Sequence, residues 1–84
     1  MADLTEKIVY RGGATGYGLK YKVMEVDEAT AADTVTVGEL AAIKDTVCIR
    51  LDTGAEVACT ETTNVVTVGA GPSDTPLLII VSGW

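Results

Sequence analysis

Every third residue of this chain is β-branched: 11 valines, 12 threonines and 5 isoleucines occupy its 84 positions. Branching at Cβ restricts χ1 and fits the pleated surface of a sheet better than the crowded flank of a helix. The chain is therefore expected to be all-β, a small antiparallel β-sandwich or barrel. Its length allows one domain. A domain of this size buries only about 60% of the surface that its unfolded chain exposes, so association with other molecules would add needed stability. Apolar side chains at 48% against charged ones at 21% argue for a packed core and against disorder.

The residues that are missing exclude several chemistries. There is no histidine, which removes Ser-His and Cys-His catalysis and any imidazole metal ligand. The acids do not fall into a calcium-loop spacing. Two cysteines eleven positions apart make no zinc site, so neither metal nor cofactor is expected. The net charge of −6 disfavours duplex nucleic acid, which demands clustered Lys and Arg. The longest apolar run, Leu77 to Val81, is far short of the roughly 20 residues of a membrane helix. The opening residues lack the profile of a signal peptide. A soluble protein made in a cytosol, with no membrane partner, is the expectation. Charge is uneven: residues 1–22 sum to +2 and residues 23–84 to −8, which suits a cationic N-terminal segment docking on an acidic neighbour.

Along the chain, residues 1–18 read differently from residues 19–84. Ile8-Val9-Tyr10 is a short apolar patch, and Gly12, Gly13, Gly16 and Gly18 follow it closely. That pattern predicts an extended N-terminal arm with a glycine-rich hinge. Lys7, Ile8, Val9, Tyr10 and Arg11 are then the partner-binding residues of the arm. Arg11-Gly12-Gly13 is a single RGG unit, and Gly16-Tyr17-Gly18 has no helix after it to hold a phosphate; neither is expected to act as a nucleic-acid or anion site. Leu19 to Asp27 alternates, with Leu19, Tyr21 and Val23 on one side and Lys20 and Lys22 on the other; from Met24 onward the polarity switches, which fits a bulge or an edge crossing there. Thr34 to Val37 is a second strand, and Gly38 to Lys44 a helical turn tucking Leu40 and Ile43 under the sheet. Val65 to Val68 is another strand, and Gly69 to Pro76 a loop. Leu77 to Val81 is apolar without alternation, the signature of a strand covered on both faces, either centrally in a sandwich or between one face and a partner subunit. Trp84 joins the partner-binding residues as a large apolar group, and with Tyr10, Tyr17 and Tyr21 it makes up the aromatic complement of the chain.

Two strand-like runs, Thr46 to Leu51 and Ala55 to Thr62, flank Asp52-Thr53-Gly54, which reads as a hairpin turn. A three-residue loop would set Ile49 opposite Val57, Val47 opposite Cys59 and Arg50 opposite Glu56, keeping apolar and polar residues on separate faces. In that register Cys48 and Cys59 point to opposite faces and cannot bridge, leaving two free thiols. The same triplet, preceded by Ile49-Arg50-Leu51, resembles the active site of retroviral-type aspartic proteases, which share one proton between two such aspartates. Thirty residues after Gly54 leave little room for the rest of such an enzyme, and a turn role is expected. No enzyme activity is expected either.

Thr34-Val35-Thr36-Val37, the polar turn at Asp52 to Gly54, Asn64-Val65-Val66-Thr67-Val68-Gly69 and the closing Leu77-Leu78-Ile79-Ile80-Val81 together resemble the small β-rich head decoration or cement proteins of tailed bacteriophages. The resemblance covers residues 30–84 and is one of style, with no invariant motif. It implies a virion protein, assembled in the host cytoplasm, that binds the major capsid protein or other virion subunits. It also implies a homo-oligomer, a trimer by preference. Other structural β-modules, such as a head–tail joint, tail or surface-layer component, share the same style.

Overall fold

The computed structural model of the chain describes residues 3–16, 18–38 and 40–84. Tyr17 and Glu39 lie outside the described residues, so the aromatic role read for Tyr17 and the middle of the helical turn read for Gly38 to Lys44 lie there too. The described residues form eight strands after a 3-10 turn at Thr5–Lys7: β1 (Val9–Gly16), β2 (Leu19–Ala29), β3 (Thr34–Thr36), β4 (Ile43–Arg50), β5 (Glu56–Val57), β6 (Cys59–Thr62), β7 (Val65–Val68) and β8 (Thr75–Gly83). The fold is all-β, and its strands pair antiparallel throughout. A five-stranded sheet runs β1-β2-β8-β4-β5, and a three-stranded sheet runs β3-β7-β6.

One core serves both sheets. Met24 and Val26 of β2, Cys48 of β4 and Leu77, Ile79 and Val81 of β8 join Val35, Val66 and Val68 of the small sheet in a single buried cluster, with Leu4, Val37 and Leu40 from the connections. Leu40 and Ile43 are buried as expected, but without a helix: Ile43 already begins β4. The chain changes sheet at Ala58, between β5 and β6, and the Gly69 N–H donates to the Ala58 carbonyl at 2.8 Å to hold that corner.

Two expectations are corrected. The N-terminal segment, expected as an extended arm with a glycine-rich hinge, packs on this chain's own sheets. The Leu4 N–H donates to the Thr34 carbonyl at 2.7 Å, the Thr36 N–H donates to the Thr5 hydroxyl at 2.9 Å, and Leu4 is 1% exposed. The chain then crosses to the large sheet as β1, which pairs with β2 from Val9↔Glu25 to Gly16↔Leu19, with a bulge between Tyr10 and Gly12. Gly12, Gly13 and Gly16 are thus strand residues, and only Gly18, at φ 83°, sits in the turn. Gly13 is required by close approach: a Cβ there would meet the Tyr21 carbonyl oxygen at 2.6 Å. Dense glycines favour flexibility only in a segment without a partner; here ladder hydrogen bonds to a long neighbouring strand order it.

On β2 the side of Leu19, Tyr21 and Val23 faces away from the core, and Met24 and Val26, where the polarity of the strand switches, face into it. β8 alternates in burial, with Thr75, Leu77, Ile79, Val81 and Gly83 buried and Leu78 and Ile80 half-buried, so the core of this chain covers its inward face. The second correction is the β4–β5 register: Cys48 pairs with Val57 and Ile49 with Glu56, and the Arg50 N–H donates to the Ala55 carbonyl at 2.8 Å. The turn therefore spans Leu51 to Gly54, one residue longer than expected. A shift of one position reverses facing, so Cys59 comes to the same side of β4 as Cys48.

Candidate interaction surface

Strand register places three rows of side chains on the outer face of the large sheet. The middle row is Val23, Ile80 and Val47; beside it lie Glu25, Leu78 and Ile49 on one flank and Tyr21, Ser82 and Asp45 on the other. Five of these nine are aliphatic, and the acids sit at the margins. The face is open: Tyr21 is 43% and Val47 37% exposed, with Val23, Ile49, Leu78 and Ile80 half-buried only by their neighbours within the sheet. A shallow depression of about 130 Å³ lies over Tyr21, Asp45, Val47, Ile80 and Ser82.

The residues picked out from sequence are divided by the fold. Val9 and Tyr10, 48% and 49% exposed, begin edge strand β1, and Val9 extends the row of Glu25 and Leu78. Tyr10 pairs with Met24, so it stands on the opposite side of the sheet, where the Lys22 ammonium lies 5.9 Å from its ring centroid. Arg11 at the bulge binds Glu25 through Nε at 2.7 Å. Lys7 is exposed and lines a groove of about 320 Å³ with Val26, Asp27 and Glu28. Ile8 turns inward and packs against the core. Trp84 is 45% exposed but lies apart from this group. It follows Gly83, which pairs with Lys20, whereas Val9 pairs with Glu25. Those five positions along β2 correspond to roughly 17 Å. The Trp84 ring carries the Lys44 ammonium 5.5 Å from its centroid. Its backbone is tied down, with the Trp84 N–H donating to the Ala42 carbonyl and its own carbonyl accepting from Ala41.

Sequence reasoning missed Val23, Val47 and Ile49 as part of this surface. For Leu78 and Ile80 the signal was present in the unbroken apolar run of β8, for which cover by a partner subunit is one of the two arrangements expected.

Asp52 lies in the β4–β5 turn and is held by Arg50. Its carboxylate receives Arg50 Nε at 3.1 Å and Nη2 at 2.9 Å. The guanidinium holds its carboxyl below the ordinary 3.8. Among the described residues there is no group of three or more Cys, Asp and Glu side chains placed to hold a metal ion. Compared with family models, with curated proteins and with solved structures, the chain matches none.

Proposed function

We propose that this chain is a structural protein of a virion, decorating or cementing the capsid shell by binding the major capsid protein or neighbouring subunits and copies of itself. The observation that supports the reading is the open aliphatic face of the large sheet. In a domain this small, leaving Val23, Val47, Ile49, Leu78 and Ile80 uncovered forgoes burial worth about 25 cal/mol per Å²; a partner that covers them recovers it. β8 has nine residues, so at about 3.3 Å per residue and about 4.8 Å between strands the five-stranded sheet offers a face of roughly 600 Å². That approaches the roughly 800 Å² per partner of a stable interface. The backbone edge of β1 adds to that face. As an edge strand with exposed side chains from Val9 to Ala14, it offers unpaired backbone groups to a strand of a neighbour. The two sheets sharing one core act in this reading as a sandwich, and the edge β1 takes the docking role expected of the extended arm. The action is mechanical, without turnover, and repetition over a lattice multiplies weak contacts through effective concentration.

Light scattering on the purified chain is expected to give a defined oligomer, a trimer by preference. The double variant Val47→Lys/Ile80→Lys is expected to give a monomer with an unchanged far-UV spectrum. A wild-type monomer at high concentration, with the variant indistinguishable from it, overturns self-association through this face. Mass spectrometry of purified particles then separates the two structural readings by copy number: many copies per particle support cement, and only as many as one ring holds marks a joint.

A further inference from the structure

Cys48 and Cys59 meet where the two sheets join. Cys48 lies on β4 of the large sheet, fully buried, and Cys59 opens β6 of the small sheet, half-buried against the same core. The Cys59 thiol donates to the Thr46 carbonyl at 3.9 Å. Thr46 and Cys48 pair with Val81 and Ile79, alternate residues of β8, so they share one face of β4. Cys59 is thus delivered across the corner at Ala58 onto the stretch of β4 that carries Cys48.

From this placement we infer that Cys48 and Cys59 are a modification site: a dithiol that a disulfide oxidant such as glutathione disulfide converts into an intrachain Cys48–Cys59 bridge, stapling the large sheet to the small one.

The order of steps follows from exposure. Cys59, the more accessible sulfur, attacks one sulfur of glutathione disulfide as its thiolate. The oxidant's S–S bond breaks, a Cys59–glutathione bond forms and one glutathione leaves as thiolate. The Cys48 thiol then gives up its proton to solvent and attacks the Cys59 sulfur. The mixed disulfide breaks, the Cys48–Cys59 bond forms, and the second glutathione leaves and is protonated. Two electrons pass from the protein dithiol to the oxidant, which ends as two glutathione thiols. Burial, reinforced by the neighbouring Cys59 sulfur, pushes the Cys48 thiol up from its ordinary value. The second step is therefore the slower one. The closed loop is short, yet it spans the one crossing between sheets in the 48–59 segment, so the bridge constrains the unfolded chain and the sheet junction together.

The test uses the full reduced chain incubated with glutathione disulfide, alkylated under denaturing conditions and weighed intact without reductant. The expected product is a monomer lighter by two hydrogens, with no alkylated cysteine, melting roughly 10 °C or more above the reduced protein. Cys48→Ser is expected to stop at a stable glutathione adduct on Cys59, and Cys59→Ser to take up far less glutathione than the wild type. A wild type that stops at the adduct, links to a second chain, keeps both thiols or melts lower when oxidised overturns the inference. The readout is independent of any capsid role.

Discussion

Leu4, Thr46 and Asp52 mark three kinds of residue in this molecule: one whose burial holds a segment, one buried at a cost, and one on the surface. The Thr46 hydroxyl is buried without a hydrogen-bond partner. A hydroxyl taken out of water and left unpaired costs free energy, and valine has almost its shape. Thr46→Val is therefore expected to leave stability unchanged or raise it by about 1 kcal/mol, read from denaturant midpoints at constant slope. Asp52 behaves otherwise. Its carboxyl is held below 3.8 by Arg50, so the pair supports the folded state fully above the ordinary carboxylate value. That support is lost as pH falls through the lowered native value. Because the turn is exposed, the effect is small and screened by salt. Melting curves taken from neutral pH downward should show the acid loss reduced in Asp52→Asn, and an identical profile in the variant would show that the pair contributes nothing.

Among the elements, the β6–β7 hairpin carries visible strain. Thr63 has φ 54°, a left-handed conformation that opposes its branched side chain, and the two-residue turn Thr63-Asn64 follows directly on the Thr62↔Val65 pair. Glycine adopts that region freely. Thr63→Gly is expected to stabilise the protein by about 1 kcal/mol, seen as a higher melting temperature; a lower one would mean that the threonine side chain matters more than its backbone strain. β1 is the opposite case, an element whose residues look unstructured in sequence but pair along their length with β2. Its hydrogen bonds belong to the hairpin and its side chains contribute little to the core, so it is a surface more than a support.

For the whole molecule, the N-terminal segment decides how far the fold is self-contained. Residues 3–5 run along β3 of the small sheet, and β1 then closes the edge of the large one. Leu4, at 1% exposure, is the anchor between them. Leu4→Ala is expected to cost about 2–5 kcal/mol, a large share of the stability of a domain this small, and to be visible as a strongly lowered melting temperature. A free arm would predict no change. The association proposed here therefore rests on an ordered edge and an open sheet face, and binding need not begin by ordering a disordered leader.

The amino-acid sequence alone determined the all-β character, because β-branched density and period-two runs are local properties and no compensating helical pattern exists. It also located β2, β3, β4, β7 and β8 to within a few residues, and the burial of Leu40 and Ile43. Three matters were left to tertiary structure. The face of β2 that turns inward depends on which neighbour covers it: Tyr21 and Val23 alternate as well as Met24 and Val26 do. Both cysteines are free, as expected, but the side of β4 on which Cys59 falls depends on one residue of turn length, which the local pattern of Arg50 and Glu56 misjudged. The fate of the glycine-rich segment depends on a partner strand; glycines without side chains cannot announce a ladder whose hydrogen bonds are made entirely by the backbone.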